Sequence, residues 1–543
     1  MKRFCLPTIA ATLFVLAVTS GTAAPVPAGR NIDRYGDVII QSTHGTTDFV
    51  HHKFSINGPN VEVWMSNKTS PVQFHIYCAS VTGSWMTVAG KQQAEVMMHG
   101  PIRFHVTMKH LAQTQVIDGA AESATYSQAE HTVKLQSGVT ATINDDTVFE
   151  GPAKIHAAEV DLGTIGNRSL TLQGDASAAL VTMNLLGKSK QTYLVSCTGF
   201  STFRFTQPGR VAINGRKTHL DAAGASSSGR SQATMSFTAP AITAAFGAVP
   251  VQFKATGGVV ADYSWQTGKH LPMKAHVTAS DVIYVGDEHL ATMSGGVHAE
   301  SNQADGKGVP TAVTVSKLIM RTINPEKYTL VAEPANSFAT FGLGKYGQHA
   351  LPTGKAGSYG AVTVTGFNEG VLVPGSSARL SGPVLEMVYD GGDTGTHAKL
   401  NCKTIYTTFR PDRTLEKLVA SDGVTFRWNQ TVQSLTSPSG ATATIMRTVA
   451  GSTESLQVNQ TPALPTAAPQ QTVILNGPTN ATISLPSLQS PVHYTDKAGD
   501  RIELNLATQQ LDWFTLSHSA KFSATVPVNE PVAKGRTKAG RSK

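Results

Sequence analysis

Asp393-Thr394-Gly395 is the one tripeptide in this chain with the form of a catalytic motif, because aspartic proteases carry their acid in Asp-Thr-Gly. Those enzymes need two such carboxylates face to face, sharing one proton, and the sequence holds no second copy. Here the tripeptide follows Tyr389-Asp390-Gly391-Gly392 instead of an apolar strand, so it reads as a hairpin turn. Histidine is abundant, with 18 residues, and His51-His52 and the trio His99, His105 and His110 are its densest groups. They lack a carboxylate partner at ligand spacing, and there is no H-E-x-x-H. Asp145-Asp146 reads as a turn between strands, with a surface calcium site as the alternative. Neither a G-x-S-x-G elbow nor a P-loop occurs. Cys78, Cys197 and Cys402 are far apart and odd in number, which excludes a disulfide scaffold and favours three buried single thiols. These residues together predict a protein that is not an enzyme and requires no metal or cofactor.

The elements that must position these residues are strands. From Val133 through Leu135, Val139, Ala141 and Ile143, apolar residues alternate with Lys134, Gln136, Gly138, Thr140 and Thr142. Alternation of this kind turns one face of an extended strand toward an apolar interior and the other toward water. Ile102, Phe104, Val106 and Met108 repeat the pattern, as do Val424, Phe426 and Trp428. Only 15% of the 543 residues are charged, and small, β-branched and turn-forming types dominate. The expected class is all-β, with ample material for large cores.

The N-terminus carries an export signal in form. Lys2 and Arg3 precede an apolar run from Ile9 to Val18, and Gly21, Ala23 and Ala24 offer small residues for cleavage. No other segment approaches the roughly 20 apolar residues of a membrane helix, so no transmembrane span is expected after cleavage. The expected location is the periplasm or the exterior. The formal charge of +8 does not argue for nucleic acid, since Lys2 and Arg3 supply two of it and Lys534, Arg536, Lys538, Arg541 and Lys543 five more. The body is near neutral, and the tail is expected either to touch anionic headgroups or peptidoglycan weakly or to serve as a solvated terminus.

Glycines punctuate the chain at Gly58, Gly100, Gly138, Gly174, Gly215, Gly258, Gly296, Gly382 and Gly423, with most gaps near 40 residues. Read as turn signals, they predict units of a few strands that stack on their neighbours to close a core. Composition divides the chain into a leader (1–24), two β-jellyroll-like regions (25–225 and 226–456), a Pro-rich linker (457–471), a small β unit (472–527) and a basic tail (528–543). Ala222 to Ser231 reads as a flexible join, and Gly342 to Gly360 as a long Gly-rich loop.

A finer pattern recurs: a small residue and an aromatic, a polar turn, an alternating strand, then Gly-Val. Ala124-Thr125-Tyr126-Ser127 leads into Val133 to Val139, Leu415 to Ala420 leads into Ser421 to Phe426, and Ala261-Asp262-Tyr263-Ser264 repeats the aromatic half. This resembles the OstA-like family of periplasmic lipopolysaccharide-transport proteins. The resemblance implies rungs of a twisted β-jellyroll holding acyl chains between two sheets, and envelope transport proteins as partners. At roughly three times the length of one member, this chain would be several stacked jellyrolls. A β-solenoid or β-sandwich array is the alternative.

The reading is a carrier of an amphipathic envelope lipid or lipopolysaccharide-like glycolipid, with Val133, Leu135, Val139, Ile143, Val424, Phe426 and Trp428 as the expected apolar contacts. Each buried methylene of such a ligand is worth about 0.8 kcal/mol, so no polar motif is required. The same residues would equally fill a closed sandwich core. An adhesin or envelope structural protein, and a polysaccharide-active enzyme on repetitive β-structure, remain as alternatives; the tryptophans are scattered with no acidic cluster beside them.

Overall fold

The computed structural model describes residues 31–523 apart from segments between strands, the longest being 346–358, 434–443 and 461–470. The leader, the basic tail, Asp145-Asp146, Asp393-Thr394-Gly395 and the prolines of the expected linker lie outside the described residues. Three short strands open the described chain: β1 (Asn31–Tyr35), β2 (Val38–Ser42) and β3 (His44–Asp48). Longer ones follow: β4 (Lys53–Met65), β5 (Val72–Val88), β6 (Lys91–His110), β7 (Gln113–Ser127), β8 (Thr132–Asn144) and β9 (Ala153–Gly163). Four short strands, β10 (Ser169–Gln173), β11 (Leu180–Leu186), β12 (Thr192–Thr198) and β13 (Thr202–Thr206), come next. The middle section is β14 (Arg210–Ala225), β15 (Ser231–Ala245), β16 (Gln252–Thr267), β17 (Met273–Val285), β18 (Leu290–Gln303) and β19 (Thr311–Arg321). Then come β20 (Lys327–Val331), β21 (Phe338–Lys345), β22 (Tyr359–Thr365) and β23 (Glu369–Val373). A last long set, β24 (Ser377–Asp390), β25 (Thr396–Phe409), β26 (Leu415–Gln433) and β27 (Thr444–Gln460), precedes six short strands ending at Ser523.

All of these join one antiparallel sheet, so the protein is an elongated all-β fold. Among the described residues the sole helical element is a single turn at Pro334–Asn336, and no helix is long and apolar enough to cross a membrane. On either side of the expected join, β14 and β15 pair from Arg210↔Ala245 to Ala225↔Gln232.

Every long strand bends near its middle. The register slips between Asn57 and Val61, Tyr77 and Ser80, His99 and Ile102, Ala120 and Ser123, and Gln136 and Val139. It slips again between Asn214 and Thr218, Thr238 and Ala241, Thr256 and Val259, Thr278 and Asp281, and Ser294 and Val297. The long strands from β24 to β27 repeat it. Such bulges insert unpaired residues and kink the strand. Aligned on successive strands, they crease the sheet, and the same face stays inward on both sides of the crease: Ala94, Val96 and Met98 are buried before the bend of β6, and Ile102, Phe104, Val106 and Met108 after it.

The two halves pack against each other. Phe237 and Phe253, on opposite sides of the crease, have ring centroids 5.0 Å apart. Short strands are halves of the same unit: β3 pairs with Lys53–Asn57 and β2 with Glu62–Met65 of one strand, β4. Likewise β13 and β12 share β14, and β20 and β21 share β19.

The glycines that read as turns between strands are bends within them. Gly58, Gly100, Gly138, Gly258, Gly296 and Gly423 lie inside β4, β6, β8, β16, β18 and β26. One strand out and one back takes about 40 residues, which explains the spacing. Gly100 shows why the type matters: its φ is +92°, and a Cβ there would meet the Cβ of Ala79 at 2.5 Å.

Candidate functional site

Interior filling differs along the crease. From β4 to β8 the inner face carries Ile56, Ile76, Met98, Ile102, Met108, Ile117 and Leu135, all almost fully buried. The N-terminal hairpin also closes this end. Tyr35 stacks on Phe54 at 4.0 Å between centroids, and the Tyr126 hydroxyl donates to Asp37 Oδ1 at 3.2 Å across the rim. Burial raises the pKa of both groups: desolvation lifts the Asp37 carboxyl above its usual range and the Tyr126 phenol well above its own.

From β15 to β19 the lining is smaller. Of the thirteen buried apolar residues between Phe237 and Val315, four are Ala and six are Val, so beyond the Phe237–Phe253 contact few large side chains span the space between the halves. Apolar residues further from the crease emerge toward solvent there. Met235, Phe253, Ala291 and Met320 are only partly buried, and Tyr263 is 37% exposed although it shares the inner face with Val259 and Ala261.

A cleft of about 570 Å³ opens at this section, within the range of small-ligand sites. Leu194, Met235, Tyr263 and Ala275 give it apolar lining, while Asp221, Asp262 and Lys274 give it charge and Ser236 and Ser264 hydroxyls. The rows that line it alternate between faces: Thr234, Ser264 and Lys274 across β15, β16 and β17, and Ser236, Asp262 and His276, face outward with Leu194 and Asp221, while Met235, Tyr263 and Ala275 between them face inward. No family profile and no curated protein matches this chain. The site is therefore argued from its own geometry.

Histidine–carboxylate pairs stand at the cleft's polar edge. His276 Nδ1 lies 2.8 Å from Asp262 Oδ1, and His219 Nε2 lies 3.1 Å from Asp221 Oδ2. Ser236 Oγ lies 3.4 Å from the same His219 Nε2, and Nδ1 faces the Thr238 hydroxyl at 3.1 Å. A nucleophile triad needs serine and carboxylate on opposite ring nitrogens, so this trio cannot activate Ser236. Similar pairs recur on the outer face, His105 with Asp118 at 2.6 Å and His51 with Asp48 at 2.6 Å. Spacing along the chain hid the first, because its carboxylate comes from the adjacent strand. Among the described residues no three His, Cys, Asp or Glu converge as a metal-binding group.

The residues expected from sequence as lipid contacts all lie on the inward face but in the filled sections. Val133, Leu135, Val139 and Ile143 are at most 4% exposed in β8, and Val424 and Phe426 are buried in β26 with Trp428 partly so. The structure does not bring the two groups together, as β8 and β26 are far apart in the ladder. Sequence reading missed Leu194, Met235, Lys274 and Ala275. The signal was present nearby, because Asp262, Tyr263 and Ser264 belong to the aromatic-turn pattern. Cys78, Cys197 and Cys402 are buried free thiols on separate strands, each pushed up to about 12 chiefly by desolvation, so none serves as a nucleophile at neutral pH.

Proposed function

We propose that this protein is an exported carrier of an amphipathic envelope lipid, binding its cargo without transforming it. The observation that carries the reading is the change of lining at β15–β19, where Ala and Val make up most of the buried residues and inner-face residues reach solvent. The acyl part lies against Met235, Tyr263 and Ala275. The polar head stays at the edge of the section, where these inner-face residues reach solvent. The creased sheet supports this use, because away from the bulges its strands pair their backbone groups laterally with their neighbours and need no partner from the space between the halves. The form of the leader supports export, and the resemblance to lipopolysaccharide-transport proteins supports a glycolipid or phospholipid cargo.

Native mass spectrometry of protein purified from its own cells, followed by lipid extraction, tests the proposal. The expected result is a stoichiometric acylated molecule that is lost in Ala275→Trp, whose side chain fills the cleft while thermal stability is retained. A wild-type protein without bound or exchangeable acyl lipid overturns the reading.

A further inference from the structure

Four of the exposed large apolar side chains near the N-terminal end stand on two adjacent hairpin tips. Phe49 and Val50, between β3 and β4, are 76% and 81% exposed, and Met86 and Val88, at the end of β5, are 52% and 45% exposed. The two tips are neighbours: Lys53 pairs with Ser84, and the Trp85 amide donates to the His52 carbonyl at 3.1 Å. The third hairpin of the same rim, between β7 and β8, carries Gln128, Ala129, Glu130 and His131 instead, so the apolar character belongs to these two tips.

The first tip is held in a fixed shape. Asp48 Oδ1 accepts hydrogen bonds from the amides of Val50 at 2.9 Å and His51 at 3.0 Å, and Asp48 Oδ2 meets His51 Nδ1 at 2.6 Å. Phe49 and His52 set their rings edge-on to the buried Trp85, with centroids 6.2 and 5.4 Å away. The backbone is thus ordered while Phe49 and Val50 point away from the core. Lys53 and Lys91 stand exposed at the bases of the two tips; Asp48, across the ladder from Lys53, is engaged by His51, and Glu95 stands exposed on β6 beside Ser84. Exposed apolar points flanked by two lysines match a lipid–water interface, where apolar side chains enter the acyl boundary and lysines meet phosphates.

We infer that the paired tips at Phe49–Val50 and Met86–Val88 dock this protein on an anionic bilayer surface. This goes beyond lipid carriage and stands independently of it, since docking needs no occupied cleft. Flotation of the full-length protein with vesicles of phosphatidylcholine and phosphatidylglycerol tests it. Wild type is expected to float, and Phe49→Asp with Val50→Asp to lower the bound fraction by about tenfold or more, given what burial of two such side chains is worth. Val384→Asp, at a residue 65% exposed in β24, is expected to float like wild type. Met86→Asp with Val88→Asp repeats the test should the first pair fail to fold. Wild type that stays with the soluble fraction, tip variants that float undiminished, or an equal loss in Val384→Asp each overturn the inference.

Discussion

The sections β4–β8 and β14–β19 share one design and differ in what fills it. Both alternate apolar and polar residues, both bend at mid-strand bulges, and both turn a single face inward. In the first, Ile, Met, Phe and Leu from the two halves meet and close the interior; in the second, Ala and Val dominate the crease, Phe237 and Phe253 meet across it, and Met235 and Tyr263 stand partly open. Strand pattern and bend position define the sheet. Side-chain size decides whether the space between its halves is solid.

The sharpest break of that comparison is a charge on each inner face. Leu135→Asp places an unpaired carboxylate at a fully buried site and is expected to cost more than about 4 kcal/mol, seen as loss of the cooperative urea transition. Tyr263→Asp, at a residue open to solvent, is expected to shift stability by less than about 1 kcal/mol while weakening acyl binding. Overpacking gives the next effect. Ala94→Leu, at a site with no exposure, is expected to lower stability by about 1–3 kcal/mol, against less than about 0.5 kcal/mol for Ala275→Leu at the cleft. Equal losses at both positions in thermal unfolding would mean that the middle section is as filled as the first.

The bends differ as well. Gly258→Ala in β16 meets nothing within 4 Å and bears only the left-handed backbone penalty of about 1–2 kcal/mol, whereas Gly100→Ala adds the contact with Ala79 and is expected to cost more. The smallest effect concerns the docking tip. Its Asp48 carboxyl is held below the ordinary 3.8, chiefly by the side-chain hydrogen bond with His51. A depressed carboxyl contributes order above its unfolded value and loses it as pH falls through the folded value. Amide exchange at Val50 and His51 is therefore expected to quicken only below about pH 4, with the filled sections unaffected.

Much of the fold was legible in the sequence. Alternation at Val133–Ile143 and Val424–Trp428 identified strands and their inward faces, because period-2 patterning survives whatever the strand packs against. The glycine spacing was visible, but its meaning was not: a glycine at a mid-strand bulge and one in a connecting turn both answer the need for positive φ, and only pairing separates them. Cross-strand neighbours such as His105 with Asp118 depend on register, which single-sequence spacing does not carry. The cleft was hidden for a related reason. Val133 and Ala261 both score as inward apolar positions, and whether such a position meets a filled or open space depends on the size of residues on the opposite half.

The central claim is that one section of this creased sheet, and not the others, receives an acyl chain. Photolabelling the wild-type protein with a phospholipid carrying a diazirine in its acyl chain, then mapping adducts by peptide mass spectrometry, tests it directly. The account predicts adducts on peptides containing Met235, Tyr263 and Ala275 and none on the inner face of β5–β8. Adducts on Phe104, Leu135 or their neighbours, or no interior adduct at all, would contradict it.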